Sequence, residues 1–379
     1  MYTVTLHPSG RQFESIPHRS ILDSGLAHGL ALPHRCANGS CGTCTARLLE
    51  GATERLRPHD FTLTARDKAN GHFLMCCHSP ASDVEIVVNE VATPADIPVQ
   101  KLSAKVERCQ TLNDVRVVTL RFTRGRSLQY LSGQSVRLYP PASATDLNSS
   151  ATSSDDTTVH LDIPIASCPC ETGIVELHFQ AQQNADLGRH WCELFETAGR
   201  RDRIEVEGPY GNFTLTDLEP RARLMVCVDT GFARSKALIE QVFNLEHESP
   251  IKLLRFSGSA ATRTSAAKTE ALYLDNLCRS WQDSMPNFCY ESIEVQNTTN
   301  GCLADAPITP EHLGNFADSA EAFVYISSAP VPTTSEHLNT ERLMGQSTRN
   351  GDDDNLLSAQ TLRANLLKLG FNDTQIMTV

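Results

Sequence analysis

The chain has 379 residues, a formal net charge of −12 at pH 7 and 40% hydrophobic residues. This length exceeds one ordinary hydrophobic core and predicts two or three domains. The acidic balance argues against nucleic acid or an anionic membrane as a main partner, and no apolar run is long enough to predict a membrane-spanning helix. Because the amino terminus has the pattern of a strand and lacks that of a secretion signal, the 13 cysteines predict a reducing, cytoplasmic location.

Residues 1–92 predict a small β-grasp domain. Alternating apolar residues over 1–16 predict a hairpin, and 21–29 predicts a short helix that ends at a glycine. A strand follows over 45–51, and a last strand covers 84–88. Paired strands around one helix give the β-grasp outline.

Three cysteines of this domain, Cys36, Cys41 and Cys44, have the spacing C-x4-C-x2-C. Followed by a further cysteine later in the chain, this spacing is typical of a 2Fe–2S cluster. Four thiolates are needed because each of the two tetrahedral irons takes two sulfurs from the protein. Gly39 and Gly42 give the intervening loop the backbone freedom to wrap around such a cluster.

The fourth thiolate and the kind of cluster each leave an alternative. Cys76 and Cys77 are adjacent, and neighbours in an extended segment point to opposite faces, so only one of them can bind. Zinc is the alternative metal, but a structural zinc site usually shows two paired motifs and only one C-x2-C is present. A disulfide framework would need an oxidising compartment.

Residues 93–104 predict a linker, and 105–218 predicts an antiparallel β-barrel. The predicted barrel strands cover 105–108, 115–122, 135–139, 159–165, 174–179 and 203–206. The run 140–158 is rich in Ser, Thr, Ala and Asp and predicts a mobile insertion. The segment Cys168-Pro169-Cys170 is too tight for a usual metal pair and is interpreted as a loop with free thiols.

Residues 219–379 predict a parallel α/β domain. Apolar strands over 224–228, 251–256 and 323–326 alternate with helices over 233–243 and 269–281, which is typical of a parallel sheet. The polar run 334–355 predicts an exposed insertion. The expected fold class is therefore multidomain α+β: a β-grasp domain, an antiparallel barrel and a parallel α/β domain.

The order of these parts resembles the electron-transfer reductases of bacterial oxygenases, in which a plant-type 2Fe–2S ferredoxin domain precedes a ferredoxin–NADP reductase-like module. The resemblance covers nearly the whole chain. It rests on 33–44, Leu74-Met75-Cys76, 131–134, 207–213 and 230–233. The Leu-x-Cys position implies Cys76 as the fourth ligand beside Cys36, Cys41 and Cys44.

The resemblance implies an FAD site at 161–167, where the family has Arg-x-Tyr-Ser before Ala-Ser. This chain has Leu161-Asp162-Ile163-Pro164-Ile165-Ala166-Ser167. The implied flavin-binding residues are Ile163, Pro164, Ile165 and Ser167. Leucine cannot pair with a pyrophosphate as arginine does, so Arg137 or His160 is the candidate replacement. The chain lacks the family's Gly-Gly-x-x-Ser phosphate-binding segment and has Asn-Ala-Asp-Leu-Gly near its place, at 184–188.

The resemblance also implies an NAD(P)H site that includes Thr230 and Gly231. The family's Gly-Gly-Thr-Gly turn is here Val228-Asp229-Thr230-Gly231. Asp229 is expected to cap the following helix and to compete with phosphate for its N–H groups, and Arg234 offsets part of this charge. The family's Cys-Gly-x-Pro motif is replaced over 327–330.

The function implied is that of a reductase component, which passes electrons from NAD(P)H via FAD and the 2Fe–2S cluster to a terminal oxygenase or similar enzyme, within a larger complex or alone. One alternative is a cluster-bearing electron-transfer or scaffold subunit whose reductase domains have lost flavin or NAD(P)H. A second alternative is a redox sensor or assembly factor. The departures at 161–164 and 229 leave catalytic competence as an experimental question.

Overall fold

A computed structural model gives the fold of three consecutive sheet-based units. It describes residues 1–58, 62–91, 93–123, 126–141, 160–170, 173–180, 185–197, 202–215, 218, 220–257, 272–294, 308–313, 316, 322–328, 359–369, 371, 373 and 376–379. The predicted insertions lie outside these residues, 334–355 entirely and 140–158 except for its first two positions.

The first unit is a mixed five-stranded sheet that carries a helix. Its strand order is β2-β1-β7-β3-β5, with β1 antiparallel to β2 and parallel to β7. The elements are β1 (Tyr2–His7), β2 (Gln12–Ser15), α1 (Ile21–Ala27), β3 (Thr45–Glu50), β4 (Thr53–Arg55), α2 (Ala65–Ala69), β5 (His72–Leu74), β6 (His78–Pro80) and β7 (Val84–Val87). Ser20 starts α1 by accepting a hydrogen bond from the backbone N–H of Asp23, as a helix cap requires.

The second unit is a six-stranded antiparallel sheet with strand order β11-β10-β13-β8-β9-β12. The elements are β8 (Gln100–Leu112), β9 (Val115–Phe122), β10 (Ser135–Tyr139), β11 (Leu161–Pro164), β12 (Ile174–Gln180), α3 (Ala185–Thr197) and β13 (Ile204–Tyr210). A bridge between Ile165 and Leu177 joins the two outer strands. The sheet therefore nearly closes into a barrel, whose core includes Trp191 and Phe195 from α3.

The third unit is a parallel five-stranded sheet with strand order β16-β15-β14-β17-β18. The elements are β14 (Arg223–Val228), α4 (Phe232–Asn244), β15 (Ile251–Ser257), α5 (Asp275–Ser284), β16 (Phe288–Glu294), α6 (Pro310–Leu313), β17 (Phe323–Ser327), α7 (Ala359–Lys368) and β18 (Ile376–Thr378). The predicted α+β class is confirmed: antiparallel and parallel sheets follow one another along the chain.

The predicted linker and one predicted helix have different bounds in the structure. β8 begins at Gln100, inside the segment 93–104, because Gln100 to Leu102 pair with Gly208 to Val206 of β13. The helix predicted over 269–281 begins only at Asp275. Helix α3 was not predicted, because the spacing of its apolar residues was not distinguished from the alternating pattern of the strands around it.

Helix α4 contacts both other units. Its Gln241 side chain donates a hydrogen bond to the Gly29 carbonyl at 3.0 Å, and its Lys236 ammonium donates to the Ala166 carbonyl at 3.2 Å. A second link joins the first two units, from the Ser127 N–H to the Arg35 carbonyl at 3.2 Å. Helix α4 is therefore the element on which the first unit and the barrel meet.

In the described part of the chain, no helix has the length and apolar character that a bilayer crossing requires.

Candidate functional site

The loop between α1 and β3, residues 36–44, carries three of the predicted cluster ligands and is here named the cluster loop. Its backbone takes positive φ at Ala37 (52°), Gly39 (90°) and Gly42 (79°). Two of these positions are glycine, as the conformation favours. The loop is held from outside by Arg57, whose guanidinium donates to the Ala37 carbonyl.

The structure places the four predicted cluster cysteines in two neighbouring pairs. The sulfurs of Cys44 and Cys76 lie 3.2 Å apart, and the side chains of Cys36 and Cys41 interact. Among the described residues no group of three or more metal-binding side chains converges on one point. A 2Fe–2S cluster takes two thiolates at each iron, so an arrangement in two pairs fits this group. Cys36, Cys44 and Cys76 are at most 2% exposed, whereas Cys41 is half-buried.

Cys36 and Cys76, the first and last of the four cysteines in the chain, have thiols of different acidity. Burial alone would raise the pKa of Cys36, but hydrogen bonds from the Asn38 backbone and from the Ser40 and Cys41 side chains lower it to about 6. The hydrogen bond with Cys44, followed by burial, raises the pKa of Cys76 to about 12. Because ligands must be deprotonated, binding of iron at Cys76 is expected to release the proton of this thiol.

The neighbouring thiol of Cys77 corrects one expectation. Residues Met75–Cys77 form a 3₁₀ turn and not an extended segment, so the sulfurs of Cys76 and Cys77 lie 3.6 Å apart on the same side. The opposite-faces argument was therefore wrong here. The assignment of Cys76, which the resemblance implies, is supported by the 3.2 Å contact of its sulfur with that of Cys44.

The positions assigned to flavin divide between the two faces of β11. Ile163 and Ile165 belong to the barrel core, so their side chains face away from any ligand outside the barrel. Pro164 is buried, and the Ser167 hydroxyl lies 3.1 Å from the Tyr130 hydroxyl. None of these four side chains has an aromatic ring to stack on a flavin or a positive charge to pair with its pyrophosphate.

The outside of the same strands carries better candidates, here named the outer face: Arg137, Asp162 and Tyr210. The Arg137 guanidinium forms two hydrogen bonds with the Asp162 carboxylate, at 2.8 and 2.9 Å, and lies 5.4 Å from the centre of the Tyr210 ring. This face offers a planar cation and a half-buried aromatic ring to a flavin nucleotide. Its fit is incomplete because Asp162 already occupies the guanidinium.

Beyond the end of β11, two buried and two half-buried polar residues link the barrel to α4. This junction network consists of Lys236, Glu240, Glu176 and His178. Lys236 Nζ lies 2.6 Å from a Glu240 oxygen and 3.1 Å from a Glu176 oxygen, and His178 Nε2 lies 2.9 Å from Glu176 Oε1. Glu176 only accepts, so His178 Nε2 carries the proton and Nδ1 accepts from the Tyr273 hydroxyl at 3.2 Å.

Burial and charge act oppositely on the two carboxyls of the junction network. Burial alone would raise the pKa of Glu176, but the His178 hydrogen bond and the Lys236 charge lower it to about 2 from 4.5. Burial raises the pKa of Glu240 in spite of the same lysine. The two groups therefore make opposite contributions to stability as pH falls.

The variant E176Q is expected to weaken the loss of stability in acid. A folded-state pKa below 4.5 stabilises the fold above that pH, and this contribution disappears as pH falls from about 4.5 to about 2. Urea unfolding of wild type and E176Q at several pH values checks this, and the variant should show the shallower slope in that window. E240Q is the matched control and should not flatten the slope, because the Glu240 pKa is raised.

The nucleotide turn differs from its prediction in one respect. Gly231, and not Asp229, is the N-cap of α4, and no side chain caps this helix, because Asp229–Gly231 forms a 3₁₀ turn ahead of it. The expected capping by Asp229 is therefore wrong. Gly231 is packed so closely that a Cβ there would lie 2.3 Å from the Ser327 carbonyl oxygen.

Two buried polar groups at this turn fit an additional ligand. Thr230 is 2% exposed, and its Oγ1 has no hydrogen-bond partner in the described part of the protein. Arg234 is 8% exposed; it donates to the Ser135 hydroxyl at 3.0 Å, and its Nε is without a partner there. Burial lowers the Arg234 pKa to about 10. A phosphate or amide of a nicotinamide nucleotide would satisfy such groups.

Sequence reasoning missed the junction network and the role of Tyr210. One signal was present: Lys236 and Glu240 are four residues apart on one helix, a spacing at which opposite charges pair. Glu176 and His178 alternate on one strand but have no sequence pattern that predicts their partner.

Comparison with known proteins agrees with this architecture. Residues 4–81 match the model of the 2Fe-2S iron-sulfur cluster binding domain family. The CDP-6-deoxy-L-threo-D-glycero-4-hexulose-3-dehydrase reductase of Yersinia pestis is 25% identical over 76% of this chain and 78% of its own. The phenol hydroxylase P5 protein of Acinetobacter pittii is 25% identical over 76% and 75%. Reductase component 1 of a Comamonas terephthalate 1,2-dioxygenase is 23% identical over 76% and 77%.

Among solved structures, the fold is similar to that of the Amycolatopsis cytochrome P450 reductase GcoB. The match has a TM-score of 0.50 at 19% identity and covers 100% of this chain and 98% of that one. The likeness extends the comparison from the first unit to the barrel and the α/β domain.

Proposed function

We propose that this chain, whose residues 4–81 match the 2Fe-2S iron-sulfur cluster binding domain family, is the reductase component of an oxygenase or similar enzyme system. In this role it accepts electrons from NAD(P)H via FAD and delivers them through the cluster. The observation that carries the proposal is the two pairs of thiols, Cys36 with Cys41 and Cys44 with Cys76, in a domain fixed to the other two units.

The cysteines and the cluster loop would supply the electron-transfer end. A bound 2Fe–2S cluster takes up and releases one electron at a time. The burial of Cys36, Cys44 and Cys76 excludes water from three of the ligands, and the Thr43 N–H donates to the Cys41 sulfur at 3.5 Å. Hydrogen bonds to ligand sulfurs stabilise negative charge and so help to set the potential.

The module would supply the hydride-accepting end. FAD provides the conversion from a two-electron donor to single electrons when it is bound. We assign Thr230, Gly231 and Arg234 to the nicotinamide nucleotide, and Arg137 and Tyr210 to the flavin nucleotide. Pro164 and Ser167 stay as predicted flavin contacts at the end of β11. Ile163 and Ile165 pack in the barrel core and support this end of the strand only from inside.

The partner we propose is a terminal oxygenase or another electron-acceptor protein, alone or within a larger complex. The relatives support this, because the phenol hydroxylase and terephthalate dioxygenase proteins are named as parts of such systems. We retain a cytoplasmic location, no nucleic-acid partner, and the division into 1–92, 105–218 and 219–379. The linker is shortened at its end by β8.

One group of contacts favours a second function, an electron-transfer subunit without flavin. Asp162 pairs with Arg137, and Lys236 of the junction network donates to Ala166 at the end of β11. Side chains of the protein thus occupy the cation and the strand end that the resemblance assigns to flavin. This second candidate keeps the cluster and its acceptor but takes electrons from another protein.

Flavin content and nucleotide reduction distinguish the two candidates. Cluster-loaded protein, purified without oxygen, is expected to release about one FAD per chain. Addition of NADH or NADPH should then bleach both the flavin and the cluster bands. The D162N variant is a useful companion because it frees Arg137 from its carboxylate and should raise the affinity for FAD.

The opposite result is equally clear. A spectrum with cluster bands alone, which neither nucleotide bleaches after incubation with FAD, would reject the reductase and support the flavin-free subunit. Protein that assembles no cluster would reject both.

A further inference from the structure

The charge of the chain around the cluster loop is opposite in sign to that of the whole molecule. Residues 33–70 contain six Arg or Lys and four Asp or Glu, whereas the chain has a formal net charge of −12. A local excess of cations on an acidic protein gives its surface an electrostatic direction, which orients a charged partner before contact. The placement of these cations therefore bears on what the cluster loop meets.

Three arginines beside the cluster loop form a group that is here named the basic rim: Arg35, Arg57 and Arg126. Arg35 is exposed and directly precedes Cys36, the first predicted cluster cysteine. Arg126 is exposed on the barrel, and the N–H of the next residue, Ser127, donates to the Arg35 carbonyl at 3.2 Å. Two exposed cations from different units thus lie at the start of the loop.

Arg57 adds a third cation from the segment that follows β4. It is half-buried, its guanidinium donates to the Ala37 carbonyl, and its N–H donates to the Cys77 carbonyl at 3.4 Å. Arg55 fixes this segment by donating to the carbonyls of Arg57 at 3.1 Å and Pro58 at 2.6 Å. The third cation is therefore held against the cluster loop.

The carboxylates of the first unit do not neutralise the basic rim. Among the described residues, no carboxylate forms an ion pair with any of its three guanidinium groups, and Asp67 accepts from Thr64 at the start of α2. The carboxylates that do pair have other partners: Glu85 with His7, Glu90 with Arg11 and Glu54 with His18. The rim therefore keeps its positive charge toward solvent.

An acceptor of electrons must approach the same part of the surface. Cys41 is the half-buried member of the four predicted ligands, and Ser40 and Thr43 beside it are exposed. Surface charges act over about 8 Å at physiological ionic strength. A partner that covers this edge of the loop therefore comes under the influence of the basic rim.

We propose that the basic rim is the docking surface for the electron acceptor, and that this acceptor is a protein with an acidic face. The inference rests on the cluster of the proposed function and names the kind of partner that the cluster serves. Opposite charges speed the encounter and fix the orientation in which the partner arrives. One electron then passes from the reduced cluster to the acceptor, which is reduced by one electron, and no bond is made or broken.

The test is stopped-flow oxidation of the full-length, cluster-loaded protein, after photochemical reduction of its cluster without oxygen. The soluble domain of cytochrome b5, an acidic haem protein, is the probe, and cytochrome c, a basic haem protein, is its counterpart. Reduction of cytochrome b5 should slow steeply as salt is added, because salt screens the attraction. Ferricyanide is the small-anion control.

Two charge reversals at exposed positions, R35E and R126E, identify the surface. Each should slow reduction of cytochrome b5 at low ionic strength by about tenfold and weaken its salt dependence, without slowing reduction of cytochrome c. K368E is the matched control, because Lys368 is an exposed cation on α7 of the third unit; it should keep the wild-type rates. Visible absorption of each variant measures its cluster content. If R35E loses its cluster, R126E, which lies outside the cluster loop, gives the same test.

Two results would overturn the docking proposal alone. One is a cytochrome b5 rate that neither salt nor R126E changes. The other is a slower reaction of the variants with ferricyanide and an unchanged one with cytochrome b5, which would show that the rim attracts small anions only. Neither measurement uses flavin or NAD(P)H, so a failure there does not affect this test. Absence of a cluster would overturn both this inference and the proposed function.

Discussion

Replacing Cys76 by serine (C76S) is expected to abolish the 2Fe–2S cluster. The Cys76 sulfur is the one that lies 3.2 Å from Cys44, and a hydroxyl does not replace a thiolate at iron. Cluster content should fall below about a tenth of the wild-type value, because each structural ligand contributes to both binding and folding. Iron analysis, visible absorption and electron paramagnetic resonance of the reduced protein measure this loss.

The matched control for this ligand is C77S. Cys77 is as deeply buried as Cys76 and contacts its sulfur at 3.6 Å, so both variants disturb the same small volume. C77S should keep a wild-type spectrum. If C76S retained the cluster and C77S lost it, the fourth ligand would be Cys77 and the assignment would be wrong.

Replacing Lys236 by methionine (K236M) is expected to lower the unfolding free energy of the module by several kcal/mol. Lys236 is 7% exposed and lies between the carboxylates of Glu176 and Glu240. Removing one partner of a buried ionic group leaves the other charges uncompensated, at a cost of about 3–5 kcal/mol. Urea unfolding followed by circular dichroism gives the change in unfolding free energy.

The control for K236M is R121M. The Arg121 guanidinium also contacts a carboxylate, that of Glu107 at 2.7 Å, but the two side chains are 43% and 36% exposed. An exposed ion pair is screened by water and salt, so R121M should leave the unfolding midpoint unchanged. Equal midpoints for K236M and wild type would show that the junction network adds nothing to stability.

The elements and the cluster ligands were the most predictable parts of this molecule. Cysteine spacing is a local pattern that follows directly from the needs of two irons. The apolar composition of 224–228 and 251–256 is enough by itself to predict buried parallel strands. The strand predictions succeed because the sequence signal and the structural cause lie within the same few residues.

The flavin positions and the junction were less predictable, because each depends on residues far apart in the chain. The pair Arg137–Asp162 depends on the register of β10 against β11, and Glu176 meets Lys236 only when the barrel packs on α4. The prediction that Cys76 and Cys77 point to opposite faces was wrong for a local reason. The segment forms a 3₁₀ turn and not an extended chain. The cofactor-binding positions therefore stay predictions until flavin content is measured.

The hydrogen bonds that join the first unit to the other two have a kinetic consequence for the proposed function. Gln241 holds Gly29, and Ser127 holds Arg35, the residue before the first cluster cysteine. In the proposed reductase, a cluster anchored at its base in this way keeps its place against the module. Its acceptor would then reach it by diffusion, and each delivery would be a bimolecular encounter whose frequency follows the concentration of that acceptor.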